Sequence, residues 1–246
     1  MDEKEIVKPC HEKVYQDGSL YCLYSSNVVS TFSKDFFSPA YWQSIDAVAG
    51  TATGRGTTYF IHHQEDHWVL KHYYRGGLIG KLNKDSYFFT GVDNTRAVKE
   101  FRLLQWMVSQ DLPVPVPIAC QIRKGLFTYQ ADLITSQIEN ARDLVTILQT
   151  EVVDQATWES IGQTIARFHQ RGVYHDDLNC HNILLNDQGE IFIIDFDRGE
   201  KRTPDGAWQQ ANLDRLLRSF NKELNRLPSF TWQESQWRAL KKGYQS

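Results

Sequence analysis

The chain has 246 residues, of which 41% are hydrophobic and 13% aromatic, so it can bury a full core as one large domain or as two small lobes. Its charged fraction of 23% and formal net charge of -3 exclude a generally basic nucleic-acid-binding protein and do not indicate disorder. Charge is uneven, because the stretch from Lys201 onward holds nine Lys or Arg against four Asp or Glu. That stretch is expected either to face an anionic surface or to form the solvated sides of ordinary helices.

The cysteine pattern and the lack of a recognisable targeting segment favour a cytoplasmic location. The four cysteines are scattered without a C-x-x-C pair, a pattern typical of neither a zinc ribbon nor a disulfide scaffold. The N-terminal residues lack the layout of a signal peptide, and no stretch approaches the roughly 18 apolar residues of a membrane span. We therefore expect a reducing compartment and, at most, peripheral contact with a membrane.

Strand patterns dominate the first half of the chain. Thr57–His63 and His67–Tyr74 are rich in β-branched and aromatic residues, and the turn-like stretch Gln64–Asp66 separates them, which predicts a hairpin. Further extended runs at about Val116–Arg123 and Gly125–Ile134 predict a five-stranded antiparallel sheet in this half.

One helix is predicted within this sheet-forming half. It should begin near Thr95, behind the capping candidates Asp93 and Asn94, and end before the prolines that start at Pro113. Apolar residues follow at helical spacing, which predicts one buried face. These residues are Val98, Phe101, Leu104 and Met107. The first lobe would then span about residues 20–137.

The second half is predicted to be mainly helical, in a lobe of about residues 141–246. Two short strands, Ile183–Leu185 and Ile191–Ile194, interrupt the helices, and both border acidic or amide residues. The predicted helices are Arg142–Gln149, Thr157–Arg171, Asn212–Leu224 and Thr231–Lys242.

A run of polar residues around these short strands has the spacing of a kinase catalytic loop. Phosphoryl transfer from ATP needs metal ligands, a cation on the phosphates and a carboxylate that orients the acceptor hydroxyl. The pattern His-x-Asp-Leu-x-x-x-Asn runs from His175 to Asn182, and an apolar strand then leads to Asp195. It predicts Asp177 as the catalytic carboxylate, with Asn182 and Asp195 as oxygen ligands of Mg²⁺. Each residue alone could equally be a turn residue that caps a strand.

Lys71 and Glu100 are the predicted partners of the phosphates in the first lobe. Lys71 lies inside an apolar strand and would hold the α- and β-phosphates of ATP, while Glu100 on the predicted helix would fix its ammonium group. The alternative is an ordinary edge-strand lysine and a solvated glutamate.

A glycine-rich stretch lies just before the predicted hairpin. Gly54, Arg55 and Gly56 would form a cover over the phosphates, since glycine permits close backbone approach. The stretch follows neither G-x-G-x-x-G nor G-x-x-x-x-G-K-[ST], and a tight hairpin turn would use the same residues.

Other polar residues near the predicted catalytic loop have less defined roles. His175 is expected to brace the loop from a buried position, and the role of His181 is open. Asp176 and Asp197 are extra carboxylates that either tune metal affinity or pair with basic neighbours such as Arg198.

Together these motifs resemble the 3-deoxy-D-manno-octulosonic acid (Kdo) kinase family, over most of the chain. The resemblance implies an α+β, bilobal, protein-kinase-like fold formed by a single catalytic domain, residues 1–246. It also implies that the enzyme uses ATP to phosphorylate the 4-hydroxyl of a Kdo sugar on a lipid A precursor. The expected location is peripheral, at the cytoplasmic face of a Gram-negative inner membrane. No nucleic-acid partner and no known protein partner is expected. The motifs are Gly54–Thr58, Lys71–Leu78, Thr95–Phe101, His175–Asn182 and Asp195–Gly199.

Departures from protein kinases favour an acceptor that is not a protein. Asp176 occupies the position of the arginine that precedes the catalytic aspartate in protein kinases, and only 51 residues follow Asp195. No Ala-Pro-Glu motif follows, so little chain remains to hold a peptide. An anionic acceptor also needs cations near Asp177, and five basic residues are candidates. They are Arg75, Lys81, Arg198, Lys201 and Arg202.

Three alternatives remain at this stage. The chain could be another bacterial sugar or small-molecule phosphotransferase, such as a core heptose kinase, on the same fold. It could be an inactive kinase-like binding module, although Lys71 and Asp177 are both present. A two-metal hydrolase would instead use four carboxylates. These are Asp176, Asp177, Asp195 and Asp197.

Overall fold

The computed structural model describes residues 11–53, 56–75 and 85–246. These residues form two compact units. The first contains the described residues up to Gln110 together with Pro115–Gln137, and the second contains Asp111–Val114 and Ile138–Ser246. No helix among the described residues is long and apolar enough to cross a membrane.

The first unit is built on an antiparallel sheet with the strand order β1-β2-β7-β8-β5-β4-β3, and β6 pairs with β8 beside this path. Its strands are β1 Glu12–Asp17, β2 Leu20–Ser25, β3 Val48–Thr53, β4 Thr57–His63, β5 Asp66–His72, β6 Tyr87–Phe88, β7 Pro117–Lys124 and β8 Thr128–Ser136. Its helices are α1 Pro39–Ser44 and α2 Arg96–Ser109, with single 3₁₀ turns at Lys34–Phe37 and Val92–Asn94.

The predicted hairpin of β4 and β5 is confirmed, but the sheet is larger than predicted. Among the described residues it has eight strands rather than five. Four strands correspond to the predicted runs, and the fifth predicted strand had no assigned range. The strands β1, β2, β3 and β6 match no predicted run. β1 gave no signal because its side chains are almost all exposed, so the strand lacks alternation of apolar and polar residues.

Helix α2 begins and packs as its apolar spacing predicts. Thr95 is its N-cap residue, and the four apolar residues of the predicted stripe are all buried. This buried face packs against β7 and β8, so the sheet and the helix share a core. The next polar residue on the inner side of the helix, Glu100, is therefore carried into the core as well.

The second unit is mainly helical, as predicted, and contains short strands that position its loops. Its helices are α3 Leu144–Thr150, α4 Gln155–Gln170, α5 Gly206–Arg226 and α6 Glu234–Gln245, with a 3₁₀ turn at Cys180–Asn182. Its strands are β9 Arg142–Asp143, β10 Val173–Tyr174, β11 Ile183–Leu185, β12 Ile191–Ile193 and β13 Glu200–Lys201. The α+β class, with an antiparallel sheet in the N-terminal part and helices in the C-terminal part, is confirmed.

Candidate active site

Lys71 and Glu100 meet in the first unit, as their predicted roles require. Lys71 Nζ donates to both carboxylate oxygens of Glu100, at 3.1 Å and 3.3 Å. The lysine comes from β5, where Thr58 and Leu133 flank it on the neighbouring strands, and the glutamate comes from α2. Glu100 is only 3% exposed, so this charge is held away from water and the pair is oriented by its surroundings.

Tyr73 is a third member of this group that sequence reasoning missed. Its hydroxyl donates a short hydrogen bond to Glu100 Oε2, and the side chain is buried. Its ring also lies under the ammonium group of Lys71, with 4.9 Å from Nζ to the ring centroid. Tyr73 therefore contacts both members of the ion pair. No sequence signal could identify it, because it follows the end of a strand and its hydroxyl partner is 27 residues away.

The glycine-rich stretch connects β3 to β4, and only part of it can be placed. Gly54 and Arg55 lie outside the described residues. At Gly56 a β-carbon would collide with the ring of Tyr74, so glycine is required there by close packing. Contact with phosphates by these three residues stays a prediction.

In the second unit, His175 braces the loop that carries Asp177. His175 is buried, and its Nε2 donates to the carbonyl of Ile194 at 2.9 Å while its Nδ1 accepts from the backbone N–H of Asp177 at 3.1 Å. One neutral tautomer satisfies both contacts. Burial lowers the pKa of His175, which keeps the ring neutral and in this arrangement. The ring thus ties the catalytic loop to the residue that precedes Asp195.

The two predicted metal ligands are brought together by the short strands β11 and β12. Ile183 pairs with Ile193 in this ladder, and the backbone N–H of Ile194 donates to the carbonyl of Asn182 at 3.0 Å. Asp195 follows directly and has a φ of 61°, a left-handed conformation that is costly for a residue with a side chain. Such strain is typical of functional sites.

The donor set of Asn182 and Asp195 fits a magnesium ion. Asn182 uses its Nδ2 to donate to the carbonyl of Asp177 at 3.0 Å, which leaves its Oδ1 as the group that can meet a cation. A carboxylate and an amide oxygen are the ligand types that Mg²⁺ prefers. Across the part of the chain that the structure describes, no cluster of three or more His, Cys, Asp or Glu side chains forms a metal site.

Arginines meet both aspartates of the catalytic loop. Arg215 on α5 lies with its Nη1 3.5 Å from Asp177 Oδ1, and both side chains are partly exposed. Arg198 pairs with Asp176 at 2.6 Å, which is one of the two roles predicted for Asp176. Sequence reasoning missed Arg215, because it is 38 residues from Asp177 and lies in a predicted helix to which no site residue was assigned.

His181 connects the loop to two helices. Its Nδ1 lies 3.6 Å from Asp143 at the start of α3, and its Nε2 lies 3.5 Å from Glu223 on α5. The hydrogen bond to Asp143 and the nearby Glu223 raise the pKa of His181 in spite of its partial burial. His181 therefore lies between two carboxylates that favour its protonated form.

Comparison with known proteins decides the family. The sequence matches the model of the Lipopolysaccharide kinase (Kdo/WaaP) family over residues 39–244. The chain belongs to this family. Membership in the lipopolysaccharide kinase family confirms the resemblance seen in the motifs, and it implies a phosphotransferase that uses ATP.

Several curated relatives of this lipopolysaccharide kinase family member are named 3-deoxy-D-manno-octulosonic acid kinase. One from Vibrio parahaemolyticus is 46% identical over 85% of this chain and 88% of its own length. Another from Haemophilus influenzae is 42% identical over 94% of this chain and 98% of its own length. Among solved structures, the Cydia pomonella granulovirus kinase PK-1 aligns with a TM-score of 0.44 and 15% identity, over 65% of this chain and 54% of that one.

Proposed function

We propose that this protein is an ATP-dependent kinase that phosphorylates the 4-hydroxyl of a Kdo sugar on a lipid A precursor, in lipopolysaccharide core biosynthesis. The observation that carries the proposal is the joining of Asp177, Asn182 and Asp195 through one hydrogen-bonded loop and strand pair. This arrangement occurs in a chain whose family is that of the lipopolysaccharide kinases. The relatives are named for Kdo, so a core heptose kinase is not favoured.

The described side chains support a division of labour in this reaction. Asp177 accepts a hydrogen bond from the acceptor hydroxyl and orients it toward the phosphoryl group. Lys71, held by Glu100 and Tyr73, binds the phosphates of ATP. Because phosphoryl transfer needs little covalent chemistry from the protein, positioning and charge account for most of the rate enhancement.

Magnesium is the metal that we propose for the site. Asn182 Oδ1 and the Asp195 carboxylate would hold it, and it would neutralise charge on the phosphates of ATP. The histidines around the site are engaged elsewhere: His175 holds the loop and His181 lies between Asp143 and Glu223. This oxygen-only donor set favours Mg²⁺ over a transition metal.

A peripheral location at the cytoplasmic face of the inner membrane is part of the proposal. An acceptor anchored by acyl chains requires its enzyme to work at the bilayer surface. The excess of Lys and Arg after residue 200 would assist contact with anionic headgroups. We propose no nucleic-acid partner, since the chain as a whole carries a formal net charge of -3.

The central test uses purified protein, Mg-ATP and a Kdo-bearing lipid A precursor, with mass spectrometry to detect a single added phosphate. Asp177→Ala should abolish the product, because it removes the group that orients the acceptor hydroxyl. Asp187→Ala is the matched control, since Asp187 is an exposed aspartate in the turn between β11 and β12. A substantially active Asp177→Ala protein would overturn the assignment.

A further inference from the structure

Helix α5 carries a row of basic side chains that begins at the catalytic loop. Its members are Arg215, Arg218, Lys222 and Arg226, and we call them the α5 basic stripe. With 3.6 residues per turn they fall within a sector of about 80° and span about 16 Å along the helix axis. The apolar residues Leu213, Leu216 and Phe220 occupy the other side of the helix and are buried, so the stripe faces solvent.

Arg215, the first residue of the α5 basic stripe, lies next to the aspartate that would bind the acceptor. Arg215 lies 3.5 Å from Asp177, which we propose to hold the reacting hydroxyl. An acceptor with its reacting sugar at Asp177 would therefore have the stripe beside it, within reach of the rest of the molecule. The stripe thus runs along α5 from Asp177 to the C-terminal end of the helix.

The middle of the stripe carries cations that are not engaged by neighbouring carboxylates. Arg218 and Lys222 are exposed and make no ion pair with any other described residue. Arg226, at the far end, is paired with Glu223. The acidic residue Asp214 lies to one side of the stripe and accepts a hydrogen bond from Gln210. Two adjacent, unpaired cations are thus available to an anionic ligand.

From this placement we infer that the α5 basic stripe binds phosphate groups of the glycolipid acceptor and sets the preference of the enzyme for a phosphorylated acceptor. The inference rests on the proposed function. Guanidinium groups bind phosphate through paired hydrogen bonds, and an ammonium group adds a point charge, so the stripe has the chemistry for several phosphates on an extended molecule. We assign the stripe to the acceptor rather than to the bilayer, because it starts at the catalytic aspartate.

The test compares two acceptors in neutral detergent micelles: the Kdo-bearing lipid A precursor with its phosphates, and the same molecule after their removal. The wild-type enzyme should have the lower KM for the phosphorylated acceptor. In the double variant Arg218→Gln/Lys222→Gln, the KM for this acceptor should rise roughly 5- to 30-fold, the equivalent of ~1 to 2 kcal/mol at about 1.4 kcal/mol per tenfold change. The KM ratio between the two acceptors should fall toward one.

The matched control removes two charges from another helix of the same unit. Arg238 and Lys241 are exposed on α6, so Arg238→Gln/Lys241→Gln should keep the preference for the phosphorylated acceptor. An equal loss on both acceptors in the Arg218/Lys222 variant would overturn the inference. The inference would also be overturned if the Arg218/Lys222 variant lost activity only on anionic vesicles, whether or not the acceptor carried phosphates. That result would assign the stripe to bilayer headgroups.

A binding measurement separates this inference from the proposed function. Calorimetric titration without ATP should show tighter binding of the phosphorylated glycolipid to the wild type than to the Arg218/Lys222 variant. If the wild type binds in this way but adds no phosphate to either acceptor, the proposed function fails and the stripe assignment stands. If phosphate is added but both proteins bind equally, the stripe assignment fails alone.

Discussion

Tyr73 shows how a single residue can fix the geometry of an ion pair. The carboxylate of Glu100 is almost fully buried and meets both Lys71 Nζ and the Tyr73 hydroxyl. A buried carboxylate with only one partner could turn about its side-chain torsions, whereas two donors from different backbone positions define one orientation. The hydroxyl thus helps to hold the lysine where we propose that it binds ATP.

We predict that Tyr73→Phe weakens ATP use without preventing folding. The variant keeps the buried ring but leaves one oxygen of Glu100 without its hydroxyl donor, and hydrogen bonds to charged groups are worth about 1.5–3 kcal/mol. We expect the KM for ATP to rise and kcat to fall, with a combined loss in kcat/KM of about 10- to 100-fold. Steady-state kinetics with ATP varied at saturating acceptor would measure both.

A tyrosine on another strand provides the control for Tyr73→Phe. Tyr24 on β2 stacks on Phe32, with 4.6 Å between ring centroids, and is distant in sequence from the Lys71 pair. Tyr24→Phe should leave the kinetic constants for ATP near those of the wild type. Equal constants in the wild type and Tyr73→Phe would show that the hydroxyl does not position Glu100.

Some site residues could be predicted from the sequence, and others could not. Asp177, Asn182 and Asp195 occur within 19 residues at spacings set by a loop and a strand pair, so the local pattern is sufficient to predict that they lie together, and their catalytic and metal-binding roles stay predictions. Tyr73 and Arg215 act through tertiary contacts that no short-range spacing encodes. Their roles depend on how strands and helices pack, which the linear pattern does not specify.

At the scale of elements, α4 and α6 make a close contact through two glycines. At Gly162 on α4, a β-carbon would collide with the backbone carbonyl of Leu240. At Gly243 on α6, it would collide with the backbone carbonyl of Glu159. The two helices can therefore approach only because each presents a glycine to the backbone of the other.

We predict that Gly162→Ala destabilises the protein. The added methyl group meets backbone rather than a flexible side chain, so the helices must separate. Overpacking of this kind typically costs about 1–3 kcal/mol, in spite of the better helix propensity of alanine. Denaturant unfolding monitored by circular dichroism would measure the change in free energy of unfolding.

Gly206→Ala on α5 is the matched control for this helix contact. A β-carbon there meets no atom within 4 Å, so the substitution should cause no loss of stability. If Gly162→Ala were as stable as Gly206→Ala, the close approach of the two helices would not be needed for stability.

Elements with a buried apolar stripe were predicted well, and elements without one were not. Helix α2 buries one face, and the residues of that face were identified from helical spacing. The strand β1 has no such pattern, because its side chains lie almost entirely in solvent and its backbone pairing with β2 holds it in place. Backbone hydrogen bonds leave no mark on the sequence of side chains, so this edge of the sheet was missed.

At the scale of the whole molecule, charge and burial give four of the eight histidines shifted pKa values, in two pairs with opposite effects on stability. Burial lowers the pKa of His169 to about 4 and lowers that of His175. In contrast, the pKa of His72 is raised: its burial opposes the charge, but hydrogen bonds to Asp132 and Asp85 outweigh that effect. The pKa of His181 is raised as well.

The last prediction concerns how stability depends on pH. His169 is 2% exposed, and its folded pKa of about 4 lies below the unfolded value of about 6.5, so the unfolded chain binds the proton first as pH falls. Its contribution to stability is therefore complete above pH ~6.5 and is lost between pH ~6.5 and ~4, by about 3 kcal/mol. His72 and His181 act in the opposite direction, since raised pKa values give stability at low pH that is lost as pH rises.

A pair of variants isolates the contribution of His169 from that of the other groups. His169→Gln should flatten the fall in the free energy of unfolding between pH ~6.5 and ~4, relative to the wild type, because the residue that must be protonated on unfolding is gone. Tyr244→Phe removes the hydroxyl that lies 2.7 Å from His169 Nδ1 but keeps the buried imidazole, so the fall between pH ~6.5 and ~4 should persist in this variant. Parallel curves for His169→Gln and the wild type, measured by urea unfolding at each pH, would contradict the neutral state of His169. Because the difference between two proteins is measured, carboxylates and the histidines with raised pKa values cancel, and the remaining slope belongs to the buried imidazole of α4.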